Sequence, residues 1–199
     1  MKLFRFGLMK RFKRGVLLTI YPSFKCTHNC SYCMLKLDNV YPSSKTLPLS
    51  NWKKFLENYD KTQRQVGGIR EVFLSGGEPT ILPYFKELLE WMLFEKKWYV
   101  TVFSNLSNKN LLKIKPSLRL RIVASYHHEQ IDRILWEDNY FTINKVHRVD
   151  AEELGFGLLS YSKVKSFLKE EEIKNLVEYI RISPDLSIYM SCYEIIKGK

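Results

Sequence analysis

The sequence predicts an α/β fold in which parallel strands alternate with outer helices. Short runs of β-branched residues alternate with longer segments whose apolar residues recur at helical spacing. The 199 residues contain no internal repeat and no linker, and 45% of them are hydrophobic, which suffices for one core. We therefore expect a basic N-terminal arm over residues 1–15 and a single domain over residues 16–199 that ends in a short hairpin tail.

The first half of the chain predicts two strand and helix pairs. The first strand is expected at Val16 to Ile20, because this apolar run is closed by a Tyr-Pro pair and followed by a cysteine-rich loop. A helix is expected to begin near Ser50, a favourable N-cap, with Trp52, Phe55, Leu56 and Tyr59 on one face. The second strand is expected at Glu71 to Leu74, and the second helix at Pro83 to Lys97.

The second half continues the alternation. Three further strands are predicted at Tyr99 to Phe103, Leu120 to Ala124 and Phe141 to Val146, with short helices at Lys109 to Ile114 and Glu129 to Trp136. Beyond residue 151 the predicted elements are a sixth strand at Phe156 to Leu159, an amphipathic helix at Glu170 to Ile180, and a small hairpin at Ile182 to Cys192.

Charge and hydropathy exclude some classes of protein and leave others open. The chain has 32 Lys+Arg against 21 Asp+Glu, a net charge of +11, which fits a partner with phosphates or carboxylates or serves solubility alone. No apolar run approaches the roughly 18 residues that cross a membrane. The basic N-terminus has no small-residue cleavage site after its short apolar run. We therefore expect a cytoplasmic protein without a membrane span.

Three of the four cysteines lie on one loop after the first strand. Cys26, Cys30 and Cys33 have the spacing C-x3-C-x2-C, which lets three sulfurs converge on a soft metal centre. Structural zinc sites and ordinary clusters take four ligands, so three cysteines imply an open position that binds a small molecule. The alternative is a zinc site completed by His28 or by Cys192.

Polar and glycine-rich groups follow the next three predicted strands. They are Ser75-Gly76-Gly77-Glu78-Pro79, Ser104-Asn105 and Ser125-Tyr126-His127. In parallel α/β folds, ligand-binding groups gather on the loops at the carboxyl ends of the strands. We therefore expect these loops and the cysteine loop to share one mouth.

These motifs resemble those of the radical S-adenosylmethionine (radical SAM) superfamily. The resemblance rests on the cysteine loop, with the aromatic Tyr32 before its last cysteine, and on Gly76-Gly77-Glu78-Pro79 after the second strand. It extends from about Leu17 to Val149. It implies an enzyme with a partial (β/α)6 barrel of the radical SAM type, in which helices surround parallel strands.

The resemblance also implies the cofactors and the chemistry. Cys26, Cys30 and Cys33 would hold three irons of a 4Fe-4S cluster, and the amino and carboxylate groups of SAM would chelate the fourth. The reduced cluster would then cleave SAM to methionine and a 5'-deoxyadenosyl radical, which abstracts hydrogen from a substrate. An electron donor such as flavodoxin or ferredoxin is the implied partner.

The same resemblance assigns contacts with SAM. Tyr32 would contact the adenine, the two glycines would admit the methionine moiety, and Glu78 would accept from the ammonium group. Ser104, Asn105 and Ser125 correspond in position to residues that bind the SAM carboxylate and ribose. The assigned SAM-binding positions are Tyr32, Gly76, Gly77, Glu78, Pro79, Ser104, Asn105, Ser125 and His127.

Three segments depart from the family pattern. His127 stands where many relatives have an aspartate, and the segment Phe141 to Arg148 lacks the Gly-x-Ile-x-Gly-x-x-Glu pattern of the fifth strand. The tail resembles the opening of a cysteine-rich extension that holds auxiliary clusters. Its lone Cys192 is too few for a second cluster, so we interpret Cys192 as a structural thiol.

The short chain leaves little room for a substrate domain, so we expect a substrate that caps the open barrel. A peptide or protein is favoured, because the tail resembles that of peptide-modifying relatives. The alternatives are the same chemistry on RNA or on a small metabolite, a member of the fold without turnover, and a non-catalytic, zinc-dependent module that binds nucleic acid.

Overall fold

The protein folds around one open β-sheet. The structure is a computed structural model and describes residues 15–33, 46–153, 176–182 and 188–189. Its strands are β1 (Gly15–Ile20), β2 (Ile69–Leu74), β3 (Tyr99–Ser104), β4 (Leu120–Tyr126), β5 (Val149–Glu153), β6 (Leu176–Ile182) and β7 (Ile188–Tyr189). Their order is β5-β4-β3-β2-β1-β6-β7. Neighbouring strands are parallel, except for the antiparallel pair β6 and β7. The α/β class is confirmed.

Three α-helices lie between the strands in the described part of the chain. They are α1 (Leu49–Thr62), α2 (Phe85–Glu90), which continues as a π-helical turn (Trp91–Glu95), and α3 (Arg133–Asn144). Buried residues of these helices pack against β1 to β4, whose apolar residues are buried in the same core. The helix predicted to begin near Ser50 has Pro48 at its N-cap, with no side-chain cap. None of the helices that the structure describes combines the length and apolar character that a bilayer crossing requires.

The first four predicted strands are confirmed, whereas the prediction of the fifth was wrong. Residues 141–144 belong to α3, and the fifth strand begins only at Val149. Asp132 starts this helix by accepting hydrogen bonds from the backbone N–H groups of Ile134 and Leu135. The predicted helix from Glu129 to Trp136 was therefore placed too early. The aromatic and β-branched residues of the segment Phe141 to Val146 favoured a strand, but the cap and the packing of the helix stabilise the helical state instead.

The predicted helix from Glu170 to Ile180 was also wrong from residue 176 onward. Leu176–Ile182 is β6, which pairs in parallel with β1 on the side opposite β2. In the sheet, β6 therefore lies next to β1 and not next to β5. The strand predicted at Phe156 to Leu159 lies outside the described residues. The tail hairpin is supported by the antiparallel pairing of Ile182 with Ile188.

Candidate active site

The loops that follow β1 to β4 meet at one edge of the sheet, as the strand-end rule predicts. The cysteine loop follows β1 and is hydrogen-bonded to the loop after β2. Gly77 N donates to Ser23 O over 3.1 Å, and Glu78 N donates to Lys25 O over 2.8 Å. The parallel strands bring residues that are distant in the sequence to this edge.

Two glycines allow the loop after β2 to pack directly on the cysteine loop. Gly76 has a φ of 134°, a conformation that a residue with a side chain rarely adopts. A Cβ on Gly76 would lie 2.2 Å from Ser23 O, and one on Gly77 would lie 2.1 Å from Lys25 O. On the side where a side chain would project, both glycines therefore face protein backbone.

Glu78 is a buried carboxylate that ties the loops after β2 and β3 together. Its side chain is 1% exposed. Oε1 accepts from Thr80 N, Thr80 Oγ1 and Ser104 Oγ, and Oε2 accepts from Asn105 N over 2.7 Å. Burial raises the pKa of Glu78 although these hydrogen bonds act to lower it. Pro79 is buried next to it and opens the 3-10 turn Pro79–Ile81.

Asn105 connects the loop after β3 to the cysteine loop. Its Nδ2 lies 3.1 Å from Thr27 Oγ1 and 3.7 Å from Cys26 Sγ. The next residue, Leu106, has a φ of 54°, which is strained for a bulky side chain. Asn139 of α3 donates to Leu106 O over 2.8 Å. This strained turn, supported from α3, aims Asn105 at the cysteine loop.

Tyr32 and two histidines surround Cys30. Tyr32 stacks on His127 with ring centroids 5.9 Å apart, and the His28 ring meets the His127 ring edge-on at 5.4 Å. His127 Nδ1 lies 3.4 Å from Cys30 Sγ and 2.9 Å from Tyr32 Oη. Burial is the main cause that lowers the pKa of His127 to about 4, and the nearby His28 and His128 lower it further. The ring is therefore neutral at pH 7. Burial raises the pKa of Tyr32.

Ser125 lies at the end of β4 and contributes its backbone to a contact with α3. Ser125 is 7% exposed, and its backbone carbonyl accepts a hydrogen bond from Trp136 Nε1 over 3.2 Å. The structure thus places Ser125, like Ser104 and His127, at the carboxyl edge of the sheet. Each predicted site residue lies on one of the four loops or at the strand end that leads into it.

Two residues that hold the cysteine loop were not predicted from the sequence. Glu129 accepts from Ser31 N and from Ser31 Oγ, and Gln130 Oε1 accepts from Asn29 N over 2.6 Å. Both follow β4 at a sequence distance of about 100 residues from their partners. Exposed polar residues carry no local pattern of this role, and only the strand-end rule could have indicated their region.

The sulfur donors of the loop fit an iron–sulfur cluster. Cys26 is exposed, Cys33 is half-buried and Cys30 is buried, and all three are free of disulfides. Cys26 Sγ accepts from His28 N over 3.4 Å. Three thiols on one loop are the soft ligands that such clusters take, and N–H groups directed at sulfur are typical of their surroundings.

The sequence itself assigns the family. Residues 20–149 match the model of the Radical SAM superfamily, which is more than half of the chain. The protein therefore belongs to the radical SAM superfamily, a family of enzymes whose cofactors are a 4Fe-4S cluster and SAM. No curated protein sequence matches the chain.

Solved structures of SuiB from Streptococcus suis share the fold. The structure bound to S-adenosylmethionine has a TM-score of 0.56 and 21% identity, covering 94% of this chain and 44% of that chain. The structure bound to the precursor peptide SuiA has a TM-score of 0.55 and 20% identity, covering 90% and 41%. The chain thus spans less than half the length of SuiB, and at this identity the likeness shows the fold alone.

Proposed function

We propose that Cys26, Cys30 and Cys33 hold the 4Fe-4S cluster of this enzyme and leave one iron open to SAM. The observation that carries the proposal is the three-cysteine loop at the carboxyl edge of the sheet, bonded to the loops after β2, β3 and β4. When bound, the cluster supplies one electron that splits SAM into methionine and a 5'-deoxyadenosyl radical, which takes hydrogen from the substrate.

The number of sulfur ligands supports an open iron. The described part of the chain contains no cysteine besides these three, and Cys192 lies outside it. A cluster that is closed by protein takes four ligands, so three leave a vertex for the amino and carboxylate groups of SAM. The protein holds the cluster and positions the cofactor. It needs no general base for the abstraction step.

The surrounding residues would orient SAM in the mouth. Tyr32 presents a half-buried ring within the cysteine loop and would contact the adenine. Glu78 Oε2 accepts one hydrogen bond, from Asn105 N, and a carboxylate oxygen can accept a second, from the SAM ammonium. The remaining proposed contacts are Gly76, Gly77, Pro79, Ser104, Asn105, Ser125 and His127.

We propose a peptide or protein as the substrate, and a flavodoxin- or ferredoxin-type protein as the electron donor. The support for the peptide is the fold shared with SuiB, which has been solved with its precursor peptide bound. A peptide that covers the mouth would also keep the radical away from water.

The chemistry is tested by anaerobic reconstitution with iron and sulfide. We expect an EPR signal of a reduced 4Fe-4S cluster that changes when SAM is added, together with formation of 5'-deoxyadenosine. Cys26→Ser, Cys30→Ser and Cys33→Ser should each lose both, while the matched variant Cys192→Ser keeps them. Equal loss in Cys192→Ser would contradict the ligand assignment.

One observation favours zinc as a second candidate. The ligand atoms of His28, Cys30 and His127 all lie within 4.8 Å of one another, and His28 Nδ1 is buried without a hydrogen-bond partner. A zinc protein would be colourless, would bind one zinc in wild type, and would lose it in His28→Ala. The iron–sulfur proposal instead predicts that His28→Ala retains its iron.

The substrate class is tested by measuring 5'-deoxyadenosine in the presence of different macromolecules. We expect a pool of synthetic random-sequence peptides to increase the yield above that of SAM alone. An increase with total transfer RNA but not with peptides would contradict the peptide proposal and favour the RNA alternative.

A further inference from the structure

Cys30 is the most buried of the three cysteines, and its sulfur faces two polar side chains. His127 Nδ1 lies 3.4 Å from Cys30 Sγ and 2.9 Å from the Tyr32 hydroxyl oxygen. The residue is 6% exposed. Water therefore has little access to this sulfur, and the two side chains set its surroundings.

The orientation of the His127 ring is held from two directions. Tyr32 stacks on its face with an angle of 10° between the rings, and His28 makes a T-shaped contact with it at 80°. Because two rings pack against the His127 ring, Nδ1 keeps its position next to Cys30 Sγ.

Ligation of iron by Cys30 would fix the direction of a hydrogen bond between Nδ1 and the sulfur. A cysteine that ligates iron is a thiolate and has no proton to donate. The contact between His127 and Cys30 is then a hydrogen bond only if Nδ1 carries the proton and the thiolate accepts it. The Tyr32 hydroxyl can donate to the same sulfur.

We propose that His127, with Tyr32, is a positioning residue that donates a hydrogen bond to the Cys30 thiolate and raises the reduction potential of the cluster. A donor directed at a ligand sulfur withdraws electron density from it, which stabilises the reduced, more negative cluster. This inference rests on the proposed function, because it takes Cys30 as an iron ligand. It gives His127 no part in holding the iron.

The test is an EPR-monitored redox titration of the reconstituted protein without SAM, so that contacts with SAM play no part. His127→Phe removes the N–H donor and keeps an aromatic ring against Tyr32. At the wild-type midpoint, we expect its ratio of reduced to oxidised cluster to fall at least about threefold. The one-electron slope of about 59 mV per decade converts this to a shift of about 28 mV toward negative potential.

Two further variants accompany it. His128→Phe is the matched control, because His128 also stacks on Tyr32 at 6.2 Å, and it should keep the wild-type potential. Tyr32→Phe removes the second donor and should shift the potential in the same direction as His127→Phe. If circular dichroism shows that His127→Phe is unfolded, the potential of Tyr32→Phe tests the hydrogen-bond inference in its place.

Each outcome separates the two proposals. A wild-type protein that builds no 4Fe-4S cluster contradicts the proposed function itself. A cluster that forms in all variants, with the wild-type potential in His127→Phe and Tyr32→Phe, overturns only the hydrogen-bond inference. Loss of iron in folded His127→Phe, or an equal shift in His128→Phe, overturns it as well.

Discussion

Replacing Gly77 with alanine tests whether the loop after β2 must touch the backbone of the cysteine loop. A Cβ at this position would lie 2.1 Å from Lys25 O, whereas ordinary contact begins at 3.4 Å. The Lys25 carbonyl would have to retreat by about 1.3 Å, because backbone has no rotamer with which to escape. That movement would break the 2.8 Å hydrogen bond from Glu78 N to Lys25 O.

The magnitude follows from these two effects. Overpacking costs about 1–3 kcal/mol, and one lost hydrogen bond costs about 0.5–1.5 kcal/mol. The free energy of unfolding should therefore fall by about 2–4 kcal/mol, which lowers the Tm of a chain of this size by about 4–16 °C. Because the cysteine loop is displaced, iron content after reconstitution should fall as well.

Gly15→Ala is the matched control for this experiment. Its Cβ would overlap the Arg70 side chain, 1.7 Å from Cγ, but rotation of that flexible side chain can relieve the contact. We expect a loss below about 1 kcal/mol and unchanged iron content. Thermal unfolding followed by circular dichroism, with iron analysis, measures both. A Gly77→Ala protein with the Tm and iron content of wild type would refute the reasoning.

Three further changes have defined outcomes. Glu78→Gln replaces the charged acceptor of the Asn105 N–H with a neutral amide, so a charge-assisted hydrogen bond is lost. The free energy of unfolding should therefore fall by about 1.5–3 kcal/mol in urea titrations. An unchanged midpoint would contradict this. Asp132→Ala removes the cap that accepts from Ile134 N and Leu135 N, and should cost about 1 kcal/mol by the same titration. Burial lowers the pKa of His147 below 6.5, so the unfolded chain takes up a proton more readily. Stability should then be complete above pH 6.5 and decline as the pH falls below it, with a smaller decline in His147→Phe; equal pH profiles would exclude this contribution.

The sequence pattern predicts the first four strands because each is a short apolar run closed by turn residues. It does not predict the boundary between α3 and β5, since the segment Phe141 to Val146 is rich in aromatic and β-branched residues, which are typical of strands. Its helical state depends on the cap at Asp132 and on the burial of Trp136 and Ile143 against the core. The position of β6 was missed for a related reason. Pairing with the free edge of β1 is a long-range contact that local periodicity does not contain.

The candidate site was predictable in composition but not in its internal contacts. The strand-end rule brings Asn105 and His127 to the cysteines, and the structure places them 3.7 Å from Cys26 Sγ and 3.4 Å from Cys30 Sγ. The two glycines were predicted to let the backbone approach the methionine moiety of SAM, and that contact stays a prediction. The structure shows the backbone of residues 23–25 against the positions where their side chains would project. The contact of Glu129 was not predicted, because the local sequence around an exposed carboxylate does not indicate a partner 98 positions away.

Three cysteines would ligate three irons of the 4Fe-4S cluster and leave the fourth iron for SAM. Mössbauer spectroscopy of the protein reconstituted with ⁵⁷Fe measures this directly, because it distinguishes irons with different ligands. We expect a 4Fe-4S cluster in which one iron of four changes its isomer shift when SAM is added. A cluster whose four irons are all unaffected by SAM, or a protein that binds one zinc and no iron, would contradict it.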